Sequence, residues 1–483
     1  MKRIIGDSAI GYPPQPTDSY SMADVDQLQA MRLADVRPIA DDSLQTFARA
    51  IAFDATIYGL PGVFQYPHLY AQAVDDTNPA WTGFNVFHHD RNLAGPGYQA
   101  FLTPNADTLY SNAWLDLSRG PVIIDVPAFG ARYYTLNFLD MYSNATNISS
   151  LTAGGEAGRY LVVTTGWDGP APEGIPVFRV ATAYMWILMR IFVDGPDDLD
   201  IGRQLQNAVK VTAMPDPGRL DPAFFPAADA EKVRTDWVTY FQVLDFLLRR
   251  IAHPFQEDAL VYRYQSLGIG GVSPWRVDDL RPPLRDGMAQ GFRDAMRVVD
   301  TTRSALGVPI GDTGWSRGYP AAYGFNYLRR AATNYVGLGA TVRQENQAFM
   351  CWRSVDGTML NGARNAYQVR FDHLPPVNAF WSLSAYDATT QQFYPNAIDR
   401  YVISDRTPGI RWSPDGSLTV NIQHPQPSDP ANWLPVPDGP FYLCIRAYAP
   451  RSELLDGTWA PNPVQPHPVD AGSRAGIGEG ITS

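Results

Sequence analysis

Apolar residues recur at helical spacing after Asp41-Asp42-Ser43. Leu44, Phe47, Ile51, Ala55 and Tyr58 share one face, and Gly59 and Pro61 are expected to stop that helix. From Phe84 the period shortens to two. Residues 109–117, 122–126, 133–138, 160–164 and 182–192 read as strands, separated by Gly-Pro and Asp-Gly punctuation. Helical spacing returns over 194–345. Residues 228–251 place Val233, Trp237, Phe241, Leu244, Leu248 and Ile251 on one face; 286–306 end at Gly307, and 324–337 make a further helix. Strands resume over 348–448, with Asp356-Gly357 and Asp415-Gly416 as hairpin-type turns. A short helix is expected over 22–33, and the Gly- and Ser-rich tail 470–483 carries no pattern.

The two strand-rich segments resemble each other. Asp107-Thr-Leu-Tyr-Ser-Asn-Ala, followed by Ala131-Arg-Tyr-Tyr-Thr-Leu-Asn-Phe-Leu-Asp140, matches Asp356-Gly-Thr-Met-Leu-Asn-Gly-Ala, followed by Asn378-Ala-Phe-Trp-Ser-Leu-Ser-Ala-Tyr-Asp387. Trp186-Ile-Leu-Met-Arg190 matches Tyr442-Leu-Cys-Ile-Arg446 in character. The pattern therefore predicts an α+β chain with two related β-sandwich units joined by a mainly helical segment. The expected division is an N-terminal extension (1–40), a helix plus first sandwich (41–195), a helical segment (196–345), a second sandwich (346–465) and a tail (466–483).

Composition narrows the function classes. With 483 residues, 45% hydrophobic and 18% charged, the chain is a globular protein with no need of staples. A net charge of −11 argues against nucleic acid as a partner, because phosphate binding needs a basic face. Its two cysteines, Cys351 and Cys444, read as buried free thiols, with one disulfide between them as the alternative. No run of 18 apolar residues suggests a membrane span. The start, Met-Lys-Arg-Ile-Ile-Gly-Asp7, is not a secretory signal, so the chain is expected to be cytoplasmic, or exported if a leader has been removed.

Tyr58-Gly-Leu-Pro61, Pro104-Asn-Ala-Asp-Thr-Leu-Tyr110, Leu115-Asp-Leu117, Gly120-Pro121 and Arg132-Tyr-Tyr134 form one set of distinctive runs. Tyr323-Gly-Phe-Asn-Tyr-Leu-Arg-Arg-Ala331, Ala379-Phe-Trp-Ser-Leu-Ser-Ala-Tyr-Asp387, Asn432-Trp-Leu-Pro435 and Leu455-Asp-Gly-Thr-Trp459 form another. Together they resemble the bacterial and fungal proteins that pair the domains of unknown function twelve fifty-four and twelve fourteen. That resemblance implies jelly-roll-like β-units and carries no settled activity.

The chemistry centres on the turn 104–108. Pro104 presets φ, and the Asn105 and Asp107 side chains suit a tight turn at the mouth of a strand. Asp107 reads either as a general base or oxygen ligand, or as an acceptor that closes the turn. In the functional reading Asp107, Tyr110 and Arg132 are catalytic: base or metal ligand, proton donor, and anion clamp. Asn105, Thr108, Tyr134 and His88 then contact a small-molecule substrate. A buried salt bridge to Asp107, Asp140 or Asp116 is the alternative for Arg132. His88-His89-Asp90 is a weak metal motif, since adjacent side chains diverge. Gly268-Ile-Gly270-Gly271 lacks the dinucleotide spacing, and no Walker motif or Gly-x-Ser-x-Gly elbow occurs, so no nucleotide cofactor is expected. A divalent metal stays open, as does homo-oligomerisation; no membrane partner is expected. The first functional expectation is a hydrolase or lyase performing acid–base chemistry, with or without a metal, in an aromatic-lined cleft. The alternative is a non-catalytic carbohydrate- or ligand-binding protein with exposed aromatics along one sheet.

Overall fold

The structure, a computed structural model, describes residues 36–98, 102–214, 221–318 and 321–468; the helix expected over 22–33 and the tail over 470–483 lie outside the described residues. The first described element, α1 (Asp41–Leu69), does not stop at Gly59 and Pro61. It carries Pro61 and Pro67 inside it and ends in a π-turn at Tyr70–Val74. Every residue from 55 to 67 is buried, so the one-sided periodicity fades because the helix is covered all round, not because it ends. A proline inside a helix removes a main-chain N–H and costs about 3 kcal/mol in an isolated helix. Neighbouring side chains engage the backbone near that break. The Tyr240 hydroxyl donates to the Thr56 carbonyl at 2.6 Å, and the Arg330 guanidinium donates to that of Tyr58 at 3.1 Å.

Five further helices of seven residues or more pack around α1 or flank the sandwiches: α2 (Leu199–Ala208), α3 (Trp237–Leu248), α4 (Asp258–Tyr264), α5 (Pro282–Thr302) and α6 (Tyr327–Val336); two single turns, Lys232–Thr235 and Ser452–Asp456, add to them. The single helix expected over 228–251 is two. Asp236 takes an extended conformation and caps α3, accepting from the Val238 and Thr239 amides at 3.1 Å each. Helices α3, α4, α5 and α6 surround α1 in one apolar core.

The strands, numbered in chain order, form two sandwiches. In the first, a five-stranded sheet β1-β2-β8-β4-β5 (His88–His89, Thr108–Asp116, Tyr184–Phe192, Tyr134–Leu139, Ala145–Ser149) faces the sheet β7-β6-β3-β9 (Val177–Val180, Gly158–Thr164, Val122–Val126, Lys210–Ala213). In the second, β10-β11-β12-β18-β14-β15 (Val308–Pro309, Trp315–Arg317, Asn346–Cys351, Phe441–Tyr448, Trp381–Asp387, Val402–Ile403) faces β17-β16-β13-β19 (Trp433–Pro435, Leu418–Gln423, Ala366–Phe371, Gln465–His467). The α+β class with paired sandwiches is thus present. The segment read as helical, 196–345, also supplies strands to both sandwiches, β9 at one end and β10 and β11 at the other.

The repeat is present in the topology, with one displacement. The order β2-β8-β4-β5 recurs as β12-β18-β14-β15, and Thr135 faces Arg190 across the strands as Ser382 faces Arg446. The register that sets Tyr110 opposite Arg190 sets Ala348 opposite Arg446. The counterpart of 107–113 is therefore 345–351, not 356–363, and Asp107 answers to Glu345. Asp356 instead closes a local turn, accepting from the Thr358 amide at 3.0 Å beside Gly357 at φ +80°. Cys351 lies in the second sandwich core, and Cys444 on the opposite face of the same sheet; both are free, and that placement excludes a bond between them.

Helices α1 and α5 run side by side at glycine distance. A Cβ on Gly291 would lie 2.4 Å from the Arg49 carbonyl oxygen, whereas one on Gly166 would meet nothing within 4 Å. Gly291→Ala is expected to cost about 1–3 kcal/mol and lower the melting temperature by several degrees, with Gly166→Ala near neutral. Thermal denaturation of both variants checks this.

Candidate functional site

The outer face of each five- or six-stranded sheet is covered by a segment of the other half. Residues 102–107 cross the second sandwich. There Arg446 donates to the Thr103 carbonyl at 2.5 Å, Tyr386 donates to that of Pro104 at 2.5 Å, and the Thr103 and Tyr442 hydroxyls meet at 2.6 Å. Residues 339–345 cross the first sandwich in return. Arg190 donates to the Gly339 carbonyl at 3.1 Å and Asn137 to that of Ala340 at 3.2 Å. Four rings sit between the halves in repeat-related pairs, Tyr133 with Phe380 and Phe192 with Tyr448. Phe192 and Phe380 are 4.3 Å apart, Tyr133 and Tyr448 5.3 Å.

An acid flanks this box on either side. Glu345, 1% exposed, is fully engaged: Ser149 donates to one oxygen and Tyr133 to the other at 2.9 Å. Burial raises its pKa, and the two hydroxyls and Arg190 partly counter that. Asp107, 6% exposed, is held through Oδ1 by Arg406 at 3.1 Å, while Oδ2 is buried with no hydrogen-bond partner. Burial raises its pKa too. Arg406 opposes this most, followed by Ser382 and Arg446. Ser382 lies close without forming a well-aligned hydrogen bond, so its own hydroxyl is also unpartnered.

Arg406 connects Asp107 to the surface. Its guanidinium lies against Phe192 and Phe380, 5.0 and 5.2 Å from the ring centres, and its Nε is 3.5 Å from exposed Asp194. Asp194 lines a cleft of about 510 Å³ with Ala131, Arg132, Phe192, Asp197, Asp198 and Ile201.

The expected site residues separate. Asn105 and Asp107 share the turn, where the Asp107 amide donates to Asn105 Oδ1 and Asn105 Nδ2 donates to the Tyr448 hydroxyl. Tyr110 is beside them, but its hydroxyl accepts from the Asn105 amide at 3.0 Å and its ring lies under Arg190, so it braces the turn. Thr108 is buried next to Asp107 with its hydroxyl unpartnered. Arg132 is no anion clamp. Asp198 fills its fork at 2.5 and 2.7 Å, which holds the Asp198 carboxyl below its usual range. Tyr134 points the other way, into the first sandwich core, stacked on Phe129 at 3.9 Å with its hydroxyl on the Gly154 carbonyl. His88 stands exposed on the edge strand β1, 3.7 Å from Asp90. Arg406, Asp194 and Glu345 escape sequence reasoning: each is an isolated charged residue in a loop or at a strand start. Arg190 and Arg446 do leave a signal, a charge inside an apolar strand run. Among the described residues no three His, Cys, Asp or Glu side chains come together as metal ligands. No helix of the described residues is long and apolar enough to cross a membrane.

The family description "Protein of unknown function (DUF1254)" matches residues 84–213, and "Protein of unknown function (DUF1214)" matches residues 345–452. The chain thus carries matches to both domains, in the pairing that its sequence runs imply. In this paired-domain protein Asp107 and Arg132 fall in the first domain, Glu345 and Arg406 in the second, so the junction is built from both. The solved VPA0106 protein of Vibrio parahaemolyticus is similar over 87% of this chain and 100% of its own, at 22% identity and a TM-score of 0.67, and shares the fold. A Burkholderia cenocepacia protein aligns over 92% of this chain and 94% of its own, at 11% identity and a TM-score of 0.40. No curated protein sequence matches significantly.

The paired acids generate two expected outcomes. Glu345→Ala strands the Tyr133 and Ser149 hydroxyls and is expected to cost about 3 kcal/mol in chemical denaturation. A carboxyl whose folded pKa is raised stabilises fully below its unfolded pKa, about 4, and that contribution is lost as pH rises through the folded value. Asparagine carries no such proton. The melting temperature of Asp107→Asn minus that of the parent should therefore become more positive from pH 4 to pH 7; a flat or falling difference contradicts the buried, raised carboxyl.

Proposed function

We propose that the protein is an enzyme of hydrolase or lyase type, performing acid–base chemistry on a small polar organic molecule bound in the cleft beside Arg132. One observation carries this reading. Of two repeat-related buried acids, Glu345 has every oxygen engaged, whereas Asp107 keeps one oxygen unpartnered and backs onto the cleft through Arg406. A carboxyl with a raised pKa can hold a proton nearer neutrality and exchange it in the reaction. Asp107 is the acid–base group in this reading, with Oδ2 the oxygen that takes or gives the proton; Arg406 is a positioning residue that holds Oδ1 and reaches the cleft-lining Asp194.

The cleft sets the substrate class. Three carboxylates (Asp194, Asp197 and Asp198) line it against one arginine, whose fork is filled by Asp198. Such a lining favours a hydroxyl-rich or cationic molecule over an anion. Phe192 offers the apolar wall. The alternative, an open aromatic platform for sugars, finds little support: the well-exposed tryptophans Trp81 and Trp412 both lie in loops rather than on a sheet face.

A thermal-shift screen of polyols, amino alcohols and amines, with binders followed for turnover by NMR, tests the reading. A saturable binder is expected whose affinity falls at least five-fold in Asp197→Asn, and whose turnover falls 10²-fold or more in Asp107→Asn. Turnover unaffected by Asp107→Asn would return Asp107 to a purely architectural role.

A further inference from the structure

A second polar cluster lies in the helical core, away from the junction. Arg330 on α6 is 2% exposed, yet no carboxylate of the described residues pairs with it. The rings of Tyr58, Tyr142 and Tyr327 surround its guanidinium at 5.1, 5.1 and 5.0 Å from their centres. Its one hydrogen bond runs from Nη2 to the Tyr58 carbonyl at 3.1 Å, and its Nε is buried with no partner. The Tyr142 and Tyr323 hydroxyls are likewise buried and unpartnered. Tyr142 lies beside Tyr58 and Tyr323 beside Asn334, without hydrogen-bond geometry. Two buried acids adjoin the cluster: Glu257 accepts from the Tyr58 hydroxyl at 2.7 Å, and Asp140, within electrostatic reach of Arg330, accepts from the Tyr142 and Asn144 amides at 2.8 and 2.9 Å. Tyr327, only partly buried, closes the surface side.

The balance of this cluster is one-sided. A buried donor left unpaired forfeits its hydration, and more so when it belongs to a charged group. Here the guanidinium Nε–H and two phenol O–H groups are buried with no acceptor. Aromatic rings stabilise the faces of the cation and leave its edges for hydrogen bonding. A planar fork of N–H donors matches a carboxylate, which would supply the missing acceptors.

We propose that Arg330, with the Tyr142 and Tyr323 hydroxyls, forms a binding site for the carboxylate group of a small organic acid. The site is independent of the acid–base reading at Asp107. It joins elements distant in sequence, since Tyr58 comes from α1, Tyr142 from the loop after β4, and Arg330 from α6. A ligand bound there cross-links the helical layer to the first sandwich and stabilises the folded state by mass action.

Sodium acetate is the probe, titrated against sodium chloride at constant ionic strength with the melting temperature as readout. Acetate is expected to raise the melting temperature saturably where chloride does not. Tyr142→Phe removes only an unpartnered hydroxyl, so it should leave the ligand-free melting temperature unchanged or higher while weakening acetate at least five-fold. Arg330→Lys, which keeps the charge and loses the fork, should abolish the effect. Arg406→Lys, at the junction cleft, should leave it intact. The proposal is overturned if acetate gives no saturable shift in the parent protein, or if the shift survives undiminished in Tyr142→Phe. It is equally overturned if Arg406→Lys removes the shift, or if inorganic phosphate reproduces it at equal concentration.

Discussion

The desolvation of charge at the junction between the two sandwiches is the constraint on which the rest depends. Asp107 and Glu345 are buried, Arg190 and Arg446 partly so, and each makes a hydrogen bond to the opposite half. Neither sheet could expose its central arginine to the other without the crossing segment that brings a carbonyl and an acid to it. Hydrophobic packing alone would tolerate a slipped or rotated junction. A buried guanidinium that finds its acceptor in one arrangement and not in others makes the geometry specific, here through Thr103 and Gly339.

The near-symmetry makes its own violation informative. Repeat-related positions carry the same kind of group: an acid before the first long strand, an arginine on the central strand, an aromatic pair between. On the Glu345 side two hydroxyls complete the carboxylate. On the Asp107 side the shorter acid meets an arginine from a loop that also touches an exposed aspartate. One half of the junction is closed as a core is closed, and the other is wired to the solvent.

Much of the fold is legible in the sequence because it obeys simple periods. The strand at Val122–Val126 is located to the residue, and the likeness of Trp186–Arg190 to Tyr442–Arg446 locates the repeat. The failures have physical causes. Helix α1 outruns Pro61 because burial on every side removes the amphipathic signal and lets other helices hold the backbone. Asp356 mimics Asp107 because an acid in a turn looks alike whether it closes the turn or faces a buried arginine. The site itself is legible only in its local half. Asn105 and Asp107 announce a turn, but Arg406 is 299 positions from Asp107 and belongs to no pattern that links them. Arg132 pairs with Asp198, which is none of the three acids expected for it, because Asp198 lies on a connection whose path no period reveals.

Helix α1 has a consequence for how the chain comes into being. It is the first described element to leave the ribosome and among the most completely covered, and its polar and charged partners arrive late. Tyr240 follows Thr56 by 184 residues, Glu257 follows Tyr58 by 199, Asp294 follows Arg49 by 245, and Arg330 follows Tyr58 by 272. At ordinary elongation rates of about 5–20 residues per second, that leaves an apolar helix without its cover for some tens of seconds. The first sandwich shares the core built around α1. The nascent chain thus carries an apolar, proline-punctuated segment through much of its own synthesis.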